Sequence, residues 1–236
     1  MPSAAAWCGR PFAREAITTL VDMMPLLLKG LQTTLLVTLL AAPLALVLAL
    51  AAGLARLSPW APLRWIAVGF VEFFRGTSLL VQLFYFFYVM PLFGVTLDPI
   101  TTGVVVLALN HGAYGSEVVR AAINGVPKSQ REACVALNMS PFTAMRRVIL
   151  PQAFVAMLPP FGNLLIEMLK STSLLSLITI FDLAFAGNSL FQTTGRIVEV
   201  YGLVLVIYFV VAMMLTGGMR WLERKVGAGR DLEFRQ

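Results

Sequence analysis

The sequence predicts an all-α integral membrane protein. It has five transmembrane helices, a cytoplasmic helix–turn–helix loop, the N-terminus outside and the C-terminus inside. Three observations predict this. Mean hydropathy is +0.82 and only 13% of the residues are charged, about half the share of a soluble globular chain. Long stretches with few charges recur at intervals that fit a bilayer. Lys and Arg are concentrated in alternate connections.

Leu31–Ala55 has no charged residue and, at about 1.5 Å per residue, is long enough to cross hydrocarbon. Pro43 lies inside it, which neighbouring helices in a membrane can accommodate. Arg56–Arg64 reads as a short loop. Ile66–Met90 is the second span, Pro91–Ile100 a turn region, and Thr101–Ile123 the third span. Ala153–Ile180 is the fourth, with a break expected at Pro159, Pro160 and Gly162. Asp182–Val200 reads as a polar loop, and Tyr201–Leu222 is the fifth span. Ahead of the first span, Phe12–Leu28 has near-helical apolar spacing with charges interspersed, as in a helix lying in the outer interface. The organisation is therefore an N-terminal segment 1–30, one transmembrane domain 31–222 containing the loop 124–152, and a tail 223–236. The N-terminus lacks a basic patch followed by an apolar core, so no cleaved signal peptide is expected.

Five spans put the termini on opposite sides. Twelve of the 18 Lys and Arg residues fall in the first loop, the middle loop and the tail, against four (Arg10, Arg14, Lys29 and Arg196) on the other side. The twelve belong in the cytoplasm. The net charge of +6 then reports orientation and affinity for anionic lipid, not nucleic-acid binding. With two cysteines, Cys8 and Cys134, and one histidine, His111, neither a zinc centre nor a disulfide framework can be assembled in one copy. Cys8 reads as an ordinary free thiol.

The middle loop, "NGVPKSQREACVALNMSPFTAMRRVILPQA", is polar and longer than a turn between spans requires. Pro127 can start a helix over Ser129–Leu137. Asn138 suits a left-handed C-terminal cap. Ser140 and Pro141 can cap and open a second helix, Phe142–Leu150, with Arg146 and Arg147 in its last turn. Pro151 is expected to end it and redirect the chain. Ala133, Val135 and Ala136 beside Arg131 and Glu132 form a small-residue surface with flanking charges. That surface suits docking into a groove of another protein; an amphipathic loop on the membrane surface has the same pattern.

On these residues the loop resembles the cytoplasmic signature of ABC-importer permeases: Glu-Ala-Ala, three residues, Gly, nine residues, Ile, one residue, Leu-Pro. The spacing from Glu132 to Pro151 agrees throughout, with Cys134, Asn138 and Val148 departing from the pattern. The resemblance implies that Arg131, Glu132, Ala133, Asn138, Arg146 and Pro151 meet a separate ATPase subunit and couple its closure to the spans. Further likeness lies in "VEFFRGTSLLVQLFYFFY", "GAYGSEVVRAAINGVPKSQREA", "LPPFGNLLIEMLKSTSLLSLI" and "GLQTTLLVTLL". These resemble permeases for polar amino acids and cover nearly the whole chain. "ALNMSP" and "IEMLKSTSLLSLITIFDL" are similar to the ectoine and hydroxyectoine branch.

Ionisable residues at bilayer depth face partners or a water-filled path. Glu72 with Arg75, and Glu117 with Arg120, are each three apart and can pair within a helix. Asn110, Tyr114 and Glu117 share a helical face, with His111 beside them. Asn163, Glu167 and Lys170 share another, following the expected break, where discontinuous helices build transporter sites. The alternatives are neutralisation that fixes packing for the two pairs, a packed and hydrogen-bonded side chain for His111, and packing against a partner permease for Asn163, Glu167 and Lys170. In the amino-acid branch an acid often follows the Asn directly, whereas Leu164 stands there in this chain.

The expected activity is that of the membrane subunit of an ATP-driven, binding-protein-dependent importer of polar or zwitterionic solutes, with ectoine-like solutes favoured. The resemblance implies a second permease copy or paralogue, a pair of ATPase subunits and an extracytoplasmic solute-binding protein. The chain has no G-x-x-x-x-G-K-[ST] phosphate loop, so ATP and magnesium would be held by the partner and no cofactor by this chain. A channel or a membrane-embedded enzyme using His111 and Glu117 is the alternative. No nucleophile–base–orienter set or metal cluster supports the latter.

Overall fold

The computed structural model describes residues 12–227, with side chains from Met23 onward; Cys8, the signal-peptide expectation and the end of the tail lie outside the described residues. All regular structure among them is helical. The first helix, α1, runs without interruption over Phe12–Arg56. The expected interfacial helix and first span are thus one element. Gly30 sits at the expected junction yet does not end the helix. It makes room for a neighbour: a Cβ there would lie 2.6 Å from the Asp182 carbonyl oxygen.

The centre of the bundle is the packing of α1 on α4, Pro99–Gly125. Ala41, Ala45, Ala49 and Ala52 are buried at helical spacing along α1. Gly112 and Gly115 meet them so closely that added Cβ atoms would lie 2.8 Å from Leu48 Cβ and 2.7 Å from Ala49 Cβ. Small residues that let backbones approach are how helices associate where lipid offers no hydrophobic drive. Two apolar clusters take in this seam, the first with Ala41 and Ala45 and the second with Ala49. One joins Val37, Leu83, Val106, Leu107, Met168 and Leu175; the other joins Val119, Ile123, Ile149, Ala153 and Met157.

The expected second span is two helices. Ala61–Gly76 forms α2 and Leu79–Phe84 forms α3, and the axis bends by 103° between them. A π-helical turn, Tyr85–Val89, and a 3-10 turn, Met90–Phe93, complete α3, and Gly94 at φ 83° ends it.

After α4, a short helix α5 (Lys128–Ala136) is followed by α6 (Pro141–Ala144). Contrary to expectation, Pro151 does not end the second piece. A π turn over Met145–Ile149 leads directly into α7, Leu150–Ser171, with Pro151 at its start. A π adjustment absorbs the hydrogen bond that a proline cannot donate. Pro159 and Pro160 likewise sit inside α7 without breaking it. The irregular end of that element comes later, as a 3-10 turn over Thr172–Ile178 and a left-handed Thr179 at φ 66°.

The expected polar loop after Asp182 is mostly a helix, α8, Leu183–Thr194. Asp182 Oδ1 accepts the Phe185 N–H at 2.8 Å, and Thr34 Oγ1 of α1 accepts the Leu183 N–H at 3.1 Å. Leu183 and Ala186 then bury against Leu27 and Val204. Caps and an apolar face outweigh the Asn, Gln, Ser and Thr that made the segment look like a loop. The last helix is α9, Ile197–Gly227.

Three stretches among the described residues are individually long and apolar enough to cross a membrane: Met23–Arg56, Pro141–Ile178 and Ile197–Val226; the bent α2–α3 pair makes a fourth. Helix α4 is long enough at 27 residues but carries Asn110, His111, Glu117 and Arg120. Protein, not lipid, covers much of it.

Candidate functional site

Two sites emerge: an exposed helix pair and a buried polar network along α4. In the first, α5 ends as the sequence reading expects. Asn138 adopts φ 51°. Its N–H donates to the Val135 carbonyl and the Met139 N–H to the Cys134 carbonyl, each at 2.9 Å. This is the reciprocal pair of bonds that closes a helix with a left-handed residue. Ser140 Oγ accepts from the Thr143 N–H at 3.3 Å and so caps α6. Arg131 donates to the Ile123 carbonyl at 2.7 Å, tying α5 to the end of α4, and Cys134 is buried beneath. Glu132, Ala133, Asn138 and Arg146 are exposed. So are Val135, Leu137 and Phe142, each more than 70% accessible. These apolar side chains stand exposed on a capped, tethered scaffold.

Because Asn is αL-tolerant at a cost that glycine avoids, Asn138→Gly is expected to leave the fold and assembly intact. Asn138→Val should destabilise the turn by about 1–2 kcal/mol. Thermal unfolding of the two variants, compared with the parent, checks this.

The second site gathers around Glu117. Its carboxylate receives Arg56 Nη1 at 2.6 Å, Arg75 Nη1 at 3.0 Å and Arg120 Nη2 at 2.8 Å. The expected Glu117–Arg120 pair therefore forms, and the expected Glu72–Arg75 pair does not. Glu72 points to the exposed side of α2, and Arg75 reaches across to α4, where it also stacks over Tyr114 at 5.3 Å. Arg75 lies one residue before the end of α2, next to the 103° bend. Arg56, read from sequence as a loop residue, is the most buried of the three arginines, with 11% side-chain exposure.

Asn110 is buried one face-repeat along α4 and holds the α2–α3 bend. Its Nδ2 donates to the Phe74 carbonyl at 3.0 Å and to Gln82 Oε1 at 3.1 Å. Gln82 Nε2 in turn donates to the Phe74 carbonyl at 2.9 Å and to Thr77 Oγ1 at 2.7 Å. The last carbonyls of α2, left without helical partners, are satisfied this way. Sequence reasoning missed Gln82 and Thr77; a Gly-Thr-Ser interruption followed by a lone Gln in an apolar run was the available signal.

His111 is buried, with Nδ1 against the Leu107 carbonyl at 3.1 Å. It lines a cavity of about 260 Å³ whose other walls, among them Phe154, Met157, Phe161, Met168 and Met219, are apolar. Glu167 and Lys170 are exposed on α7, and no ion pair joins them. With α7 continuous, both side chains stand on its outer surface. Asn163 lines a small groove with Thr216, Arg220 and Glu223 of α9. The structure thus unites Asn110 with Gln82 and Glu117 with three arginines, and leaves His111, Asn163, Glu167 and Lys170 apart from that network. No group of three metal-binding side chains occurs among the described residues.

The described residues form a helical bundle with apolar, membrane-length helices and an exposed, capped helix pair. Comparison with known proteins gives the family. Residues 45–228 match the family described as binding-protein-dependent transport system inner membrane component. A probable amino-acid ABC transporter permease from Sinorhizobium fredii is 43% identical, over 84% of this chain and 86% of its own length. The L-cystine transport system permease TcyB of Bacillus subtilis is 39% identical over 86% and 87%. The glutamine permease GlnP of Escherichia coli is 35% identical over 86% and 94%. A solved amino acid ABC transporter structure superposes with a TM-score of 0.83 at 36% identity, covering 88% of this chain and 97% of that one. The inward-facing methionine transporter MetNI shares the fold, with a TM-score of 0.74 at 21% identity. The chain belongs to the binding-protein-dependent ABC transporter permease family. It is an inner-membrane transporter subunit, not an enzyme, and ATP hydrolysis belongs to a separate subunit.

Proposed function

We propose that this chain is the permease of an importer for polar amino acids or amino-acid-like solutes. It crosses the membrane five times, counting α4 and the α2–α3 pair, with the N-terminus outside and α5–α6 in the cytoplasm. It pairs with a second permease, identical or paralogous. Two ATPase subunits holding ATP and magnesium dock on Glu132, Ala133, Asn138, Arg146 and the exposed Val135, Leu137 and Phe142. Arg131 and Pro151 act from behind, by fixing α5 to α4 and starting α7. A solute-binding protein delivers cargo from outside.

The observation that carries this reading is the capped helix pair, whose apolar residues stand exposed on a rigid support. In the same reading, Glu117 with Arg56, Arg75 and Arg120 is a latch joining α1, α2 and α4. Asn110, His111, Tyr114, Asn163, Glu167, Lys170 and Glu72 are the polar positions from which the cargo path is built. The relatives named for cystine and glutamine support an amino-acid cargo. The motifs "ALNMSP" and "IEMLKSTSLLSLITIFDL" support ectoine or hydroxyectoine as the finer choice.

The docking assignment is tested by Glu132→Ala and Phe142→Asp in the tagged permease. The ATPase is expected to fail to co-purify while the permease remains in the membrane. Undiminished co-purification would remove the assignment. Cargo is tested by uptake of radiolabelled glutamine, cystine and ectoine into cells carrying the complete system; accumulation of ectoine alone selects the finer reading.

A further inference from the structure

The Glu117 hub carries more positive charge than its own partners neutralise. Three guanidinium groups converge on one carboxylate, which leaves an excess of two charges. Two of the three arginines keep an open side: the Arg75 and Arg120 side chains are 35% and 43% exposed. The ring of Tyr114, itself exposed, lies under Arg75 and fixes it on one side of α4.

Beside Glu117 an open trough runs between α4 and α7. Val118, Ala121, Ala122, Ala156 and Pro160 line it, enclosing about 390 Å³, and apart from Glu117 its walls carry no charge. A surplus of arginine donors next to an apolar channel asks for a ligand that is anionic at one end and hydrocarbon at the other. In the inner-membrane setting of this family, the arginines sit near the ends of α1 and α2. In the orientation proposed above the Arg56 end of α1 faces the cytoplasmic leaflet, and the shared contact with Glu117 holds Arg75 and Arg120 near that depth. Basic pockets between helices on that side suit anionic lipid headgroups, and Arg recognises phosphate oxygens through paired N–H donors.

We propose that the Arg75–Arg120 face of the hub and the adjoining α4–α7 trough form a binding site for an anionic phospholipid. Its phosphate is held by the free guanidinium donors and an acyl chain lies along Val118, Ala122 and Pro160. The site rests on the orientation given under the proposed function, but not on the identity of the cargo.

The test uses the assembled permease–ATPase complex, purified in detergent containing phosphatidylglycerol or phosphatidylcholine and examined by native mass spectrometry. Phosphatidylglycerol is expected to remain bound and phosphatidylcholine to be lost. Arg75→Gln with Arg120→Gln should reduce retention about tenfold, the equivalent of about 1.4 kcal/mol. Ala122→Trp fills the trough while leaving every arginine in place; it should reduce retention similarly, which keeps the test valid if the double variant does not assemble. Equal retention of both lipids, or retention unaffected by Ala122→Trp, overturns the proposal. Displacement of phosphatidylglycerol by millimolar inorganic phosphate would reduce the site to one for a small anion and also overturns it. So does separation of the permease pair in the arginine variant without any change in bound lipid, which would assign the open donors to a carboxylate of the second permease. Impermeability of the system to any particular solute has no bearing on these readings, so a failed cargo assignment stays distinguishable.

Discussion

Glu117→Gln is expected to be one of the two most damaging single substitutions in the polar network. It keeps the shape of the side chain and removes the only negative charge among three arginines. Breaking a fully buried ion pair costs about 3–5 kcal/mol, because the surviving charge is left uncompensated. Here Glu117 keeps 22% side-chain exposure and Arg120 43%, so water recovers part of that and the expected loss is about 2 kcal/mol. Thermal unfolding of the purified complex should report it. Pairing the change with Arg120→Gln should cost less than the sum of the two single substitutions, since each removes the same interaction. Strict additivity would mean that the hub is three independent contacts, not one network.

Gln82→Leu should have a comparable effect through a different mechanism. The substitution is similar in size and more apolar, so propensity and hydropathy alone favour it within a span. It strips donors from the Phe74 carbonyl and Thr77 Oγ1 and an acceptor from Asn110 Nδ2. Asn110 still donates to the Phe74 carbonyl, so the bend is weakened and not abolished. Unsatisfied buried polar groups cost about 1–3 kcal/mol each, and an expected loss of about 2 kcal/mol follows. Protease sensitivity at the α2–α3 junction, measured in membrane vesicles, is the direct readout. A Gln82→Leu variant as resistant as the parent would show that the bend is held by apolar packing alone. Transport should fall together with resistance, because Arg75 reaches Glu117 only from a correctly bent α2.

The helix pair was the most legible part of the chain. Its signals are local: Pro127 opening α5, Asn138 in a left-handed turn, and Ser140–Pro141 opening α6 all act within a few residues. The membrane setting was legible too, since mean hydropathy reflects the solvent and not the fold, whereas the second expected span proved to be two helices bent by 103°. Proline was misread. Pro151, Pro159 and Pro160 all look like terminators, yet all lie within continuous helix. The rule that proline ends helices assumes that water competes for the freed carbonyl. Here a π turn precedes Pro151, and Pro159 and Pro160 lie in regular α-helix, which neighbouring helices in a membrane can accommodate. Helix α8 was missed for the opposite reason. Its polar residues suggested a loop, but its N-terminus is satisfied by Asp182 and by Thr34, a residue 149 positions away.

What the sequence determined by itself was what short range or solvent governs: the membrane setting, the charge asymmetry and the caps of the α5–α6 helix pair; the glycine and alanine seam of α1 and α4 showed only in the packing. What only the tertiary structure decided was partnership at distance. Arg75 could pair with Glu72 one turn away and instead crosses to Glu117. Asn110 reaches across to the Phe74 carbonyl and Gln82, contacts that its place on α4 does not announce. The physical reason is that a charge or an amide in a low-dielectric interior goes to whichever partner leaves the fewest groups unsatisfied. That sum runs over helices whose mutual placement no local pattern encodes.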